Sequence, residues 1–262
     1  MRYLFDVWDE VAHRLKSAEH ILLLSDYDGT LTPIVDKPEL AILPQDVKRL
    51  LRKLAKNRRY TVGIISGRAL ADLKSKVDLE GIIYAGNHGL EIEGFGSSFL
   101  EPIAEEMRPS LQMLNQALSA TLRGIKGVFV EDKGLTVSVH YRLVDDTEEG
   151  KVKDSFRKVT DTLNVMGKIK ITQGKKVYEI RPPGYWDKGK AIAWLMAEWR
   201  EVSGKGGALP IYLGDDLTDE DGFKTIERNG GISIFVGEES LQSIARYFLR
   251  SPDEVAQFLK ML

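Results

Sequence analysis

Cysteine is absent from this chain, which excludes disulfides, thiolate chemistry and cysteine-ligated zinc together. No apolar run approaches the length of a membrane span, and the longest ones have the length of buried strands. An excess of basic charge is also missing. The 37 Lys and Arg against 39 Asp and Glu leave a formal net charge of −2. Nothing in that balance attracts nucleic acid or an anionic membrane, so neither is expected as a partner. Residues 1–20 mix acids and bases and lack the uninterrupted apolar segment of a secretory signal. No low-complexity tract or internal repeat is evident, and a cytoplasmic protein is the expectation.

What is present is an alternation of apolar strands and amphipathic helices over 262 residues, enough for one large domain or two modest ones. Leu4, Val7, Trp8, Val11 and Leu15 share one face of a first helix. Apolar strands are expected at 21–24, 60–65 and 81–86, with helices over 44–56 and 69–77 between them. Continuous apolar strands separated by helices predict a parallel sheet covered on both faces. From about 101 the rhythm changes to a long helix (101–123) and a strand pair around Lys133-Gly134. A charged helix (146–164) and a second strand pair around Gln173-Gly174-Lys175 follow. That pattern is an α+β unit with an antiparallel sheet. After Pro182-Pro183 the α/β rhythm returns with a helix over 191–202 and strands at 210–213 and 231–236, before C-terminal helices. The expected fold class is thus α/β, a Rossmann-like core (1–100 and 183–262) carrying an inserted α+β domain (101–182).

Reactive residues gather where these strands end. The first strand runs into Asp26-Tyr27-Asp28-Gly29-Thr30. Residues two apart on a strand point to the same side, so Asp26 and Asp28 start out aimed alike. Taken alone this is equally a capped turn with two solvated acids. The strand at 60–65 ends at Ser66-Gly67-Arg68, and the strand at 210–213 ends at Gly214-Asp215-Asp216. Lys188 stands just ahead of a helix. Ligands of open α/β sheets bind outside the carboxyl ends of the strands, so these groups are expected on one edge.

Together they supply what phosphoryl transfer needs. Asp26 is the expected nucleophile, forming an acyl phosphate, and Asp28 the general acid and base. Ser66 offers a hydroxyl, and Lys188 a compact positive charge, to phosphate oxygens. Asp215 adds a carboxylate for Mg2+, which favours oxygen ligands and charges shared with phosphate.

These residues resemble the haloacid dehalogenase superfamily of aspartyl-phosphate phosphatases, with an α/β cap of the C2B type. The resemblance implies that Asp26, the Asp28 backbone carbonyl and Asp215 hold Mg2+. It leaves open whether Asp216 or Asp219 is the second acid of the last motif. More specifically, Ser66-Gly67-Arg68, Ala85-Gly86-Asn87-His88-Gly89, Glu131-Asp132-Lys133-Gly134, His140-Tyr141-Arg142, Glu179-x-Arg181-Pro182, Lys188-Gly189 and Asp215-Asp216-x-Thr218-Asp219-Glu220 are similar to signatures of the trehalose-6-phosphate phosphatases. By that resemblance Arg68, Asn87 and His88 line the core side of a sugar pocket, and Glu131, Lys133 and Glu179 reach it from the cap. A cap closing about hinges near 100 and 182 is implied too. His140 reads as a satisfied or solvated histidine, and Trp186 as packing near a hinge.

The expected reaction is magnesium-dependent hydrolysis of a small-molecule sugar phosphate, trehalose 6-phosphate, by a monomer. The alternatives are the same chemistry on sucrose phosphate, mannosyl-3-phosphoglycerate or glucosylglycerol phosphate, or a non-catalytic sugar-phosphate sensor. Any coupling to synthesis of the substrate is expected to need another chain.

Overall fold

A strand that is apolar at every position has to be buried on both faces, and the first one is. In the computed structural model Ile21 and Leu23 pack into one hydrophobic cluster while Leu22 and Leu24 pack into a second. Alternate side chains of a strand point to opposite faces, so these two clusters are the two sides of one sheet. Burying each such side chain contributes roughly 1.5–3 kcal/mol. Residues 1–174, 176–184, 186–204, 207–238 and 242–262 are described.

The chain divides into two compact units, Met1–Phe99 with Trp186–Leu262, and Leu100–Tyr185. The first begins with β1 (Arg2–Tyr3), α1 (Trp8–Ser17), β2 (Ile21–Ser25), α2 (Gln45–Ala55) and β3 (Tyr60–Ile65). It continues through α3 (Leu70–Val77), β4 (Ile83–Gly86), β5 (Glu91–Gly94) and β6 (Ser97–Leu100). The second unit holds α4 (Pro102–Leu122), β7 (Phe129–Asp132), β8 (Val137–His140), α5 (Glu149–Val165), β9 (Lys170–Gly174) and β10 (Val177–Arg181). The chain then returns through α6 (Lys188–Ser203), β11 (Leu209–Gly214), α7 (Glu220–Arg228), β12 (Ile232–Val236), β13 (Tyr247–Leu249) and α8 (Pro252–Met261).

The first unit is built on a 9-stranded sheet in the order β1-β13-β12-β11-β2-β3-β4-β5-β6. Pairings from β1 through β4 are parallel, and β5 runs antiparallel to β4. The central position of β2 matters for function. It sets the carboxyl ends of β11, β2, β3 and β4 side by side. The expected α/β core with a separate antiparallel sheet is what the structure has.

In the second unit a 4-stranded antiparallel sheet runs β7-β8-β10-β9. Val137, Val139 and Ile180 pack with Leu111, Leu114 and Leu118 of α4 and Val152 and Phe156 of α5. The alternate residues form the other face. There the register sets Glu131 opposite Ser138, Ser138 opposite Glu179 and Glu179 opposite Thr172, one row across four strands.

Three features differ from the sequence expectation. The hairpin of β5 and β6 precedes the insertion, and its strands of four residues each carry no apolar run long enough to announce them. The strand expected to be last is followed by β13, only three residues long, and a single α-helix follows rather than several. Helix α6 begins at Lys188, not 191, because the Asp187 side chain caps it, accepting from the Lys190 amide at 2.9 Å. Of the expected turn at 173–175, Lys175 lies outside the described residues.

Candidate active site

Asp26 leaves the sheet without leaving its ladder. Its amide still donates to Leu213 O of the neighbouring β11 at 2.8 Å, and its side chain is 7% exposed. Three residues on, Gly29 takes φ +88°, a conformation that side-chain-bearing residues resist. A Cβ there would stand 2.2 Å from Asp215 Oδ2. The glycine therefore serves twice, turning the chain and admitting the Asp215 carboxylate against its backbone.

Lys188 stands between two acids. Its Nζ donates to Asp26 Oδ1 at 2.8 Å and to Asp219 Oδ1 at 2.6 Å, and all three residues are buried. Burial pushes the Asp26 and Asp219 carboxyls up; the Lys188 charge opposes this, and neighbouring carboxylates reinforce it. For Lys188 burial favours the neutral amine, but Asp219 and Asp26 outweigh it and hold the ammonium charged.

Asp26, Asp215 and Asp219 each bring a carboxylate oxygen within 4.8 Å of the others. A hard divalent cation suits such an all-oxygen group, and it would relieve the repulsion among buried acids. Asp219 differs from the other two. Its Oδ1 accepts from Lys188 and from the buried Tyr212 hydroxyl, and its Oδ2 accepts from the amides of Asp215 and Asp216 at 3.0 and 3.1 Å. Two donors on each oxygen fill a carboxylate's acceptor capacity. Asp216 is not in the three-acid group; its Oδ1 accepts from the Thr218 amide at 2.8 Å and caps the turn that follows.

The adjacent ends of β3 and β4 bring the next two motifs together. Asn87 donates its amide to Arg68 O at 2.7 Å, and His88 donates to Ser66 O at 2.8 Å. Both Asn87 and His88 hold positive φ, 47° and 59°. For non-glycine residues this is costly, and such strain concentrates at functional sites. A Cβ on Gly67 would stand 2.7 Å from the His88 ring, so the ring lies directly over that turn. The buried Ser66 is fixed by its amide on Ala85 O at 2.9 Å.

Arg68 faces Asp28. Its Nε and Nη2 donate to Asp28 Oδ2 and Oδ1 at 2.7 and 2.6 Å, and its Nη1 donates to Asp72 at 2.7 Å. The Asn87 side-chain amide donates to Glu91 Oε1 at 2.7 Å, and the same oxygen accepts from the Leu70 amide at 2.8 Å, capping α3. Asp72, Glu91 and Tyr212 were not anticipated. The i, i+4 spacing of Arg68 and Asp72 is a usable signal; nothing local marks Glu91 or Tyr212. Trp186 does pack: its ring stacks on Phe99 with centroids 4.7 Å apart, and its indole N–H donates to Gly89 O at 2.6 Å.

In the second unit, Lys133 Nζ donates to Glu179 Oε1 at 3.2 Å and lies 4.0 Å from Glu131. Glu131 is 2.8 Å from His140 Nε2. His140 is therefore a paired histidine, and Glu131, Lys133 and Glu179 form one cluster on the sheet face opposite the helices.

The family model described as trehalose-phosphatase matches residues 24–253. The trehalose 6-phosphate phosphatase RA3 of Zea mays is 35% identical over 259 residues, covering 93% of this chain and 70% of the relative. The structure of an Aspergillus fumigatus trehalose-6-phosphate phosphatase is 29% identical with a TM-score of 0.64, covering 97% of this chain and 96% of that one. The C-terminal domain of the C. albicans trehalose-6-phosphate phosphatase matches with a TM-score of 0.84 over 97% of this chain and 95% of that one. At 24% identity it speaks for the fold. With a buried aspartate, lysine and acid cluster at the carboxyl edge of a parallel sheet, and with the family model spanning both units, the chain belongs to the trehalose-phosphatase family of phosphoric monoester hydrolases.

Proposed function

We propose that this chain hydrolyses trehalose 6-phosphate to trehalose and inorganic phosphate, through an acyl phosphate on Asp26. Asp26 attacks phosphorus, the ester P–O bond breaks, and Asp28 delivers a proton to the departing sugar oxygen. In the second half Asp28 takes a proton from water as its oxygen bonds to phosphorus, and the Asp26–phosphorus bond breaks. Lys188 and Ser66 hold the phosphoryl oxygens. Mg2+ would be held by the Asp26 and Asp215 carboxylates with the Asp28 backbone carbonyl, and when bound it neutralises charge on the phosphate. With its acceptors filled, Asp219 sits behind that set, orienting Lys188 and the Asp215-Asp216 turn.

The second unit selects the sugar in this reading. Glu131 and Glu179 are charged acceptors for hydroxyls, and such bonds are stronger than neutral ones. A site built to bond hydroxyls rejects analogues that lack them. The protein acts as a cytoplasmic monomer. The observation that carries the reading is Asp26, buried at the end of the central strand and 2.8 Å from a charged Lys188.

The test is phosphate release, with Mg2+ present, from trehalose 6-phosphate, sucrose 6-phosphate, mannosyl-3-phosphoglycerate and glucosylglycerol phosphate. The highest kcat/KM is expected for trehalose 6-phosphate. A higher value for another ester would reassign the substrate, and no release from any would favour a sensor.

A further inference from the structure

Arg68 grips Asp28 through both oxygens of one carboxylate. Its Nε–Oδ2 and Nη2–Oδ1 bonds, 2.7 and 2.6 Å, make the paired arrangement that fixes a carboxylate in position and in plane. The guanidinium is itself anchored. Nη1 donates to Asp72 Oδ2 at 2.7 Å, Nη2 also donates to Pro38 O at 2.9 Å, and its carbon lies 5.3 Å from the centre of the Tyr27 ring. Four of its five N–H donors are thus spent inside the first unit. Arg68 is 6% exposed, whereas the Asp28 side chain is 39% exposed. The guanidinium is buried, and the clamped acid keeps an open edge.

We propose that Arg68, anchored by Asp72, is the positioning residue of Asp28 and acts on the leaving group through it, instead of binding the sugar. This rests on the reading of Asp28 as general acid. The fork takes one lone pair on each carboxyl oxygen and leaves one on each. A proton can therefore be carried on the outer edge without opening the clamp. It passes to the leaving oxygen as the Asp26–phosphorus bond forms and the ester bond breaks. Proton delivery depends on alignment, and a misplacement of about 1 Å costs on the order of 10²-fold. Among the described residues, no other side chain supports this part-exposed aspartate in this way. Asp72, four residues beyond Arg68, keeps the guanidinium from following Asp28 when that side chain moves.

Substituted phenyl phosphates test this, since they carry no sugar hydroxyls and differ in the basicity of the phenol released. Their kcat/KM ends with phenol release, so the later attack of water does not enter. Asp28→Asn should lose about 10²–10⁴-fold on phenyl phosphate and far less on 2,4-dinitrophenyl phosphate, whose leaving group needs no proton. Arg68→Lys and Asp72→Asn should steepen the same dependence on leaving-group basicity, by about 10²-fold and a lesser factor respectively. Asp72→Asn retains the guanidinium, so it carries the test even if Arg68→Lys does not fold. An equal fall on every phenyl ester in both variants would make the pair structural and overturn the proposal. So would a loss confined to trehalose 6-phosphate, which would return Arg68 to the sugar. If Asp28→Asn itself leaves the dependence unchanged, the general-acid reading fails first, and that outcome is distinct from the other two.

Discussion

The buried cluster of the first unit and the charged cluster of the second are positioned by different means. Asp26, Lys188 and Asp219 bond one another and are tied to backbone as well: a sheet amide on Leu213, the capped start of α6, and two amides on Asp219 Oδ2. Glu131, Lys133, His140 and Glu179 are set by one another, side chain to side chain, at 2.8 to 4.0 Å. Backbone placement gives the fixed geometry that chemistry at phosphorus requires. Long side chains paired across a sheet face can exchange each other for hydroxyls, which suits recognition.

Substitutions can break this contrast, beginning with the severest. Lys188→Met removes the counter-charge hydrogen-bonded to both Asp26 and Asp219. Breaking a buried pair costs about 3–5 kcal/mol. Denaturant unfolding should show that loss, and phosphate release should fall to background on every ester. Glu179→Gln should act on the sugar alone. Losing one charged hydrogen bond, about 1.5–3 kcal/mol, should lower kcat/KM for trehalose 6-phosphate and leave 4-nitrophenyl phosphate unchanged. A parallel fall on both esters would erase the division between the clusters. Tyr212→Phe should be mildest, since it removes one of four donors on Asp219. About 0.5–1.5 kcal/mol of stability should go, with a small drop in kcat and an unchanged KM.

The same contrast explains what the sequence made legible. Asp26, Ser66, Lys188 and Asp215 announce themselves because each follows an apolar strand or opens a helix, and a parallel sheet brings such points to one edge. The order of strands, with β2 between β11 and β3, is a tertiary outcome with no local marker. Asp72 stands at i+4 from Arg68 and so leaves a trace in the spacing, but Glu91 and the buried Tyr212 act through contacts that only the fold makes, so composition around them looks ordinary. Nor could spacing separate Asp216 from Asp219. Only the four donors converging on Asp219 distinguish it, and the fold brings them there from Lys188, Tyr212 and the turn after β11.

The central claim is that Asp26 takes the phosphoryl group, and it can be read on the protein itself. Enzyme turning over trehalose 6-phosphate with Mg2+ is quenched in acid and reduced with borohydride, which converts an acyl phosphate to an alcohol. Peptide mass spectrometry should then find the Asp26 side chain reduced, dependent on substrate and absent from Asp26→Asn. Reduction at another acid, or phosphate release by Asp26→Asn at the unsubstituted rate, would contradict the account.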